Sequence, residues 1–502
     1  MWPVSTIHCP VRRCHQRSGS VAGRAVMASK PNKRIAANAM CVPCRVWKIG
    51  RMGRRDYRMR AVHARLLLGR VSTTECGYNR HPLRTMPDTT RLRSWLLAAA
   101  LFWMAIGNGV LLWKSRVEMG QGYGDFANFY TAGVLVRRGL GAELYNPTTQ
   151  WKVQQEFASE VKIRRGPMRY MRPPFEALFF SVFAAWPYAT ALLLWTGLKL
   201  ALLSVIPFVV LRGRSWKESF PPWVTVLLVL GTFPEFMDLL MGQDASLLAF
   251  LFAISFWLLA TDRDTAAGFT LGLALFKFQL AIPFVASLLI AGRKRVLPGF
   301  AMSASAVLAL SAALVGWREL LKYPGYLLAL NQASGVGIKP ELQITLRGLL
   351  TLFVGRLSDP GGIHWVLAPV ALGAIVYTGL IWRKAGDRFL AEGFGLSAIV
   401  AVVTSYYASD YDLLLLVVPL LAMRTRPDDA PKTDRLTRYL EATGLLLLLL
   451  TPVYWFTRVQ LHAECLMTLP LVALGLALAR RLSRASAVVD ADRKASVPGG
   501  QG

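Results

Sequence analysis

Residues 174–211 form an almost unbroken apolar run of 38 positions, in which Glu176 and Lys199 are the charged residues. Crossing about 30 Å of hydrocarbon takes roughly 20 apolar residues in a helix. The run is therefore long enough for two short spans that turn at Trp186-Pro187-Tyr188. Lipid offers the backbone no water, so such segments satisfy their own N–H and C=O groups as helices. An apolar content of 54% would not decide the class, because soluble chains come close to it. The clustering decides it, and the chain reads as an all-α integral membrane protein.

Further runs lie at about 92–113, 222–240, 245–261, 265–291, 298–316, 365–382, 390–406, 410–423, 440–456 and 466–480, giving twelve spans with the first pair. In that count Arg91/Arg93, Arg293-Lys294-Arg295, Arg383-Lys384, Arg424/Arg426 and Arg480-Arg481-Arg484 share one side. The positive-inside tendency makes that side cytoplasmic. Two long polar stretches, about 114–173 and 317–364, then face outside. Arg212, Arg214 and Lys217 fall outside against the tendency, so the count is open by one crossing between residues 174 and 295. No internal repeat is visible, which disfavours a transporter built from repeated halves.

The net charge of +29 is unevenly spread. Residues 1–85 hold 18 Lys/Arg against Asp56 and Glu75, a net of +16, which leaves +13 for the rest. Cytoplasmic loops account for that remainder, and no nucleic-acid partner is implied. Five of the six cysteines also precede residue 86. Cys41-Val42-Pro43-Cys44 with Cys9, Cys14 and nearby histidines offers a weak zinc pattern, since a second pair at regular spacing is missing. An Arg-rich, acid-poor leader also resembles a transit sequence. The favoured reading is a basic, disordered extension or a start assigned too early, because Met86 opens a short polar stretch with Arg91 and Arg93 before a span. Residues 86–482 are then the membrane domain and 483–502 a cytoplasmic tail.

Chemistry concentrates in the outer stretches. Gly124-Asp125-Phe126-Ala127-Asn128-Phe129-Tyr130 places an acid at the start of an amphipathic segment just outside the first span. Asp is also a favoured helix N-cap, so cap and catalytic carboxylate both stand open for Asp125. Arg137-Arg138 either snorkel at the interface or hold a phosphate. Leu144-Tyr145-Asn146-Pro147 reads as a turn before a second amphipathic stretch, so the loop is ordered and lies along the membrane. Arg169-Tyr170-Met171-Arg172-Pro173-Pro174-Phe175-Glu176 brings two cations and an acid to the mouth of a span, with an Arg172–Glu176 pair as the structural alternative. Gly242-Gln243-Asp244 is a polar turn between spans. Lys277, flanked by apolar residues, needs an anion, either a lipid phosphate or an internal acid such as Asp238. Gln343-Ile344-Thr345-Leu346-Arg347-Gly348 starts an interfacial helix, His364 follows at its exit, and Asp410 and Asp412 lie between spans. There is no GxGxxG after a strand, no GxxxxGK[ST] and no HExxH.

The order of these motifs resembles glycosyltransferase family 87, within the membrane-embedded GT-C superfamily. The likeness covers roughly residues 92–480 and rests on Asp125-Phe126, Phe129-Tyr130, Ala132-Gly133, Leu144-Tyr145, Pro173-Pro174-Phe175, Gly242-Gln243 and Gly272 through Lys277. Asp244, Phe278 and Thr345 stand where Asn, Pro and Ser are usual in that family. The resemblance implies a GT-C-like fold of about twelve spans with two ordered outer loops carrying interfacial helices. It also implies a bacterial inner-membrane hexosyltransferase whose site faces the periplasm. The donor would be a polyprenyl-phosphate sugar, mannose being the expected hexose. The acceptor would be a glycolipid or other cell-envelope glycan, and neither cofactor nor metal would be needed. Transfer would be inverting, with Asp125 as the base. Arg172, Lys277 and Arg347 are the candidates for the leaving phosphate, and Tyr130, Gln243, His364 and Asp410 for lining the site or holding the acceptor. Two other classes stay open: a multi-span lipid or solute transporter, and a non-catalytic family member.

Overall fold

The structure is a computed structural model, and it describes residues 88–161, 166–212, 222–332, 339–354, 360–423 and 434–496. The first 85 residues, with the cysteine pattern and the proposed early start, lie outside the described residues, as do residues 497–502 of the tail, while residues 483–496 continue the helix Thr468–Ser496. Every described element is helical, and no strand occurs among the described residues. Among the described residues five helices are long and apolar enough to cross a membrane: Tyr188–Val210, Asp264–Ile290, Val296–Val315, Trp365–Ala385 and Glu464–Ala487. The expected twelve spans are not reached by that criterion, and the reason is that several runs are broken.

The run at 174–211 divides as expected into Pro174–Phe183 and Tyr188–Val210. The run at 222–240 instead splits into Pro222–Leu230 and Phe233–Met241. Nine residues of α-helix reach only about 13 Å, less than half the hydrocarbon. The segment at 265–291 passes through a 3-10 turn at Ala274–Lys277. The expected span at 410–423 is a 3-10 segment, Asp410–Leu416, followed by a seven-residue helix, Val417–Met423. Broken helices are tolerated in a membrane where the freed backbone groups are buried in protein and re-satisfied. At the end of Phe233–Met241 that condition is met: Trp195 Nε1 donates to the Gly242 carbonyl at 3.0 Å and Lys199 Nζ to the Asp238 carbonyl at 2.6 Å. The Asp238 carboxylate accepts the Ala245 N–H at 3.0 Å and also the Ser246 hydroxyl.

Small residues set the closest crossings. A Cβ on Gly268 would lie 1.9 Å from the Val296 carbonyl, and one on Gly299 1.8 Å from that of Thr265. Asp264–Leu273 and Val296–Val315 therefore pack backbone to backbone, the usual device where lipid removes the hydrophobic drive between helices.

The first long polar stretch folds into Phe126–Arg137 and Pro147–Phe157. Phe126–Arg137 is not an interfacial amphipathic helix, because Phe126 through Leu135 are all buried. It is sandwiched against Pro174–Phe183, where Phe129 stacks on Phe180 at 4.7 Å and a Cβ on Gly133 would meet the Phe180 carbonyl at 2.5 Å. The two loop helices are joined by Arg138 and Glu156 at 2.6 Å, a solvent-exposed pair of small energetic weight. The second long polar stretch holds Trp317–Gln332 and Leu346–Val354.

Candidate functional site

Asp125 immediately precedes Phe126–Arg137, and its side chain makes no cap hydrogen bond. The carboxylate instead accepts the Gln243 side-chain N–H at 2.5 Å, across 118 residues of sequence. Two glycines allow that approach. Gly242 has φ +67°, and a Cβ there would lie 2.6 Å from the Phe126 Cβ. A Cβ on Gly124 would lie 3.0 Å from the Met241 carbonyl. The Gly242-Gln243-Asp244 turn can thus press against the start of the Asp125 helix. Burial pushes the Asp125 carboxyl above the usual carboxylate range, and the Gln243 hydrogen bond and the Arg172 charge pull it partly back.

Gln243 also faces Arg172, whose Nη2 donates to Gln243 Oε1 at 3.3 Å. Arg172 pairs with Asp244 at 3.0 Å, so the expected Arg172–Glu176 alternative is replaced by this partner. Asp244 is fully buried and is shared with Lys277 at 2.6 Å. Lys277 reaches Asp412 as well, also at 2.6 Å. Its anions are therefore two internal acids, and Asp238 is not one of them, being engaged by Lys199 at 3.5 Å. With no exposed surface and both carboxylates on its ammonium, Lys277 anchors the site's framework instead of lining it. It ties the 274–277 turn to the Gly242–Asp244 turn and to the 410–416 segment.

Beside this network lies a cavity of about 280 Å³, mostly apolar in lining. Arg169, Arg172 and Arg347 reach it, with Asn128, Gln243 and Tyr407 as further polar groups. The Arg347 guanidinium sits 3.9 Å from the centre of the Tyr406 ring, a cation–π geometry. The second long polar stretch is held to the site by the Ile344 N–H, which donates to the Ala408 carbonyl at 2.9 Å.

The structure therefore brings Asp125, Gln243, Arg172 and Arg347 together. It does not bring in Tyr130, whose hydroxyl donates to the Trp186 carbonyl at 2.9 Å inside an aromatic cluster. Asp410 is buried against Arg458 at 2.7 Å, and Arg458 also pairs with Glu464 at 3.2 Å. His364 belongs to the helix Pro360–Ala385, and its side chain lies outside the described residues. Sequence reasoning passed over Asn128, and it noted Arg169 as a cation at the mouth of a span without counting it among the phosphate candidates. Asn128 stands three residues after Asp125, one helical turn on, and that spacing could have marked it.

A helical membrane protein with a carboxylate, arginines and an apolar cavity at one site is suited to a substrate that is part lipid and part anion. The model of glycosyltransferase family 87 matches residues 170–419. Over those residues the chain belongs to glycosyltransferase family 87, which makes it a membrane glycosyltransferase. The match includes Arg172, Gln243, Lys277 and Arg347 and begins after Asp125. None of the curated proteins and none of the solved structures compared with the chain matches it.

Proposed function

We propose that the protein transfers a hexose, with mannose as the expected sugar, from a polyprenyl-phosphate donor to a glycolipid or other cell-envelope acceptor. The observation that carries this reading is the Asp125 carboxylate, held by Gln243 at 2.5 Å beside a largely apolar cavity that Arg172 and Arg347 reach. The acceptor hydroxyl oxygen attacks C1 of the sugar from the face opposite the phosphate. The C1–O bond to phosphate breaks, the hydroxyl proton passes to Asp125, and the polyprenyl phosphate leaves with inverted configuration behind it. An acid of modest basicity serves because the hydroxyl becomes acidic only as the new bond forms. Guanidinium groups meet the charge gathering on the leaving phosphate.

The same reading places the site on the outer side of a bacterial inner membrane within a GT-C-like fold of about twelve crossings, some made by broken helices. A lipid-borne donor suits that side, since it brings its activating phosphate with it. The test is to give the purified protein labelled polyprenyl-phosphate mannose or nucleotide mannose in the presence of a chelator. Transfer from the lipid donor with chelator present is expected. Transfer only from the nucleotide sugar, or complete loss in chelator, overturns the mechanism.

A further inference from the structure

Arg169 differs from Arg172 and Lys277 in what surrounds it. Arg172 is paired with Asp244 at 3.0 Å, and Lys277 is consumed by Asp244 and Asp412. No carboxylate among the described residues forms an ion pair with Arg169. Its Nε has no hydrogen-bond partner although it is buried, and the group that the guanidinium influences nearby is Tyr326, a neutral hydroxyl. Arg169 nevertheless reaches the cavity, which is otherwise largely apolar. A cation kept free of acids beside an apolar space is expensive unless an anion completes it.

The cavity also has a recognisable mouth. Leu328 lines it and is 68% exposed, while Leu330 lines it from a buried position. Both lie on Trp317–Gln332, whose Trp317 and Leu321 are exposed as well. That helix is bolted to the arginine-bearing segment. Tyr323 donates to the Met171 carbonyl at 2.8 Å, and Tyr326 donates to the Tyr170 carbonyl at 3.0 Å. An apolar exit therefore opens directly beside the guanidinium that lacks an acid.

We propose that Arg169 is the residue that takes the phosphate of a singly phosphorylated lipid, whose hydrocarbon chain leaves the cavity past Leu328. This assignment rests on the transfer reading above and replaces Lys277 with Arg169 in the phosphate site. A guanidinium is opposite in charge to a phosphate, and its fork of N–H donors suits the phosphate oxygens.

The experiment titrates the full-length protein in nanodiscs with a fluorescent short-chain prenyl phosphate, and separately with the matching prenol and inorganic phosphate. Prenyl phosphate is expected to bind far more tightly than either fragment. Arg169→Gln should weaken it about ten- to hundredfold, the loss of a hydrogen bond to a charged group. Leu328→Asn, an uncharged change at an exposed position, should weaken prenyl phosphate while leaving inorganic phosphate unchanged. Asp125→Asn should leave prenyl phosphate affinity intact. Wild-type affinity in Arg169→Gln overturns the phosphate assignment, and wild-type affinity in Leu328→Asn overturns the exit. Equal affinity for inorganic and prenyl phosphate in the wild type assigns the site to a free anion and overturns the lipid. If these binding results hold but no sugar moves from polyprenyl-phosphate mannose, the lipid-phosphate site stands and the transfer reading falls.

Discussion

Asp125 and Gln243 share a 2.5 Å hydrogen bond, and their separation makes that bond a sensitive handle on the proposed base. Burial raises the Asp125 pKa, whereas the Gln243 bond lowers it. A base works deprotonated, so activity should be full above the raised pKa and fall as pH drops through it. Gln243→Ala removes a lowering influence and should move the acid limb of kcat/KM to higher pH. A limb that superimposes on the wild type would contradict the coupling. Lys277 gives a second residue-scale prediction. Lys277→Met leaves Asp244 and Asp412 buried without their shared cation, which should cost about 3–5 kcal/mol of stability. Thermal unfolding in detergent checks it. Unchanged stability with a raised donor KM would restore Lys277 to the phosphate site. From the sequence, Lys277 was legible as a cation needing an anion. Its partner was not, because Asp412 lies 135 residues away and only the folded chain joins them.

Among elements, the apolar runs were legible and their interruptions were not. Length and composition mark 188–210 and 296–315 as spans, and both stay continuous although Pro207 lies inside the first. The runs at 222–240 and 410–423 look similar, yet they break at Gly231-Thr232 and over Asp410–Leu416. In the second, Asp412 accepts the Ser409 N–H at 3.0 Å and also receives Lys277, so a tertiary pair overrides the local preference. The buried face of Phe126–Arg137 was missed for a related reason: its small residue Gly133 matters only once Pro174–Phe183 lies against it. Gly242 joins these elements at the site. Gly242→Ala adds a Cβ 2.6 Å from the Phe126 Cβ and forces a left-handed alanine, costing about 1–2 kcal/mol before the clash is counted. The turn should move Gln243 away from Asp125, and turnover should fall at least about tenfold, one pKa unit's worth of free energy or more. Wild-type turnover in Gly242→Ala would show that the close approach is dispensable.

At the scale of the molecule, residues 83–502 form one unit by their internal contacts, and the described helices and the candidate site lie within it. The step in charge and cysteine content before Met86 points the same way. Removal of residues 1–85 is expected to leave membrane insertion and sugar transfer unchanged, and loss of either would make that segment a working part of the enzyme. Family membership accounts for a membrane glycosyltransferase, while the proposed base, Asp125, lies ahead of the matched residues and rests on geometry. The most direct measurement is therefore transfer of labelled mannose from polyprenyl-phosphate mannose by purified Asp125→Asn. Asparagine keeps an oxygen for Gln243 and removes the base. A fall of about 10²–10⁴-fold in turnover, with prenyl phosphate still bound, is the expected result, and near-normal turnover would contradict the assignment of Asp125.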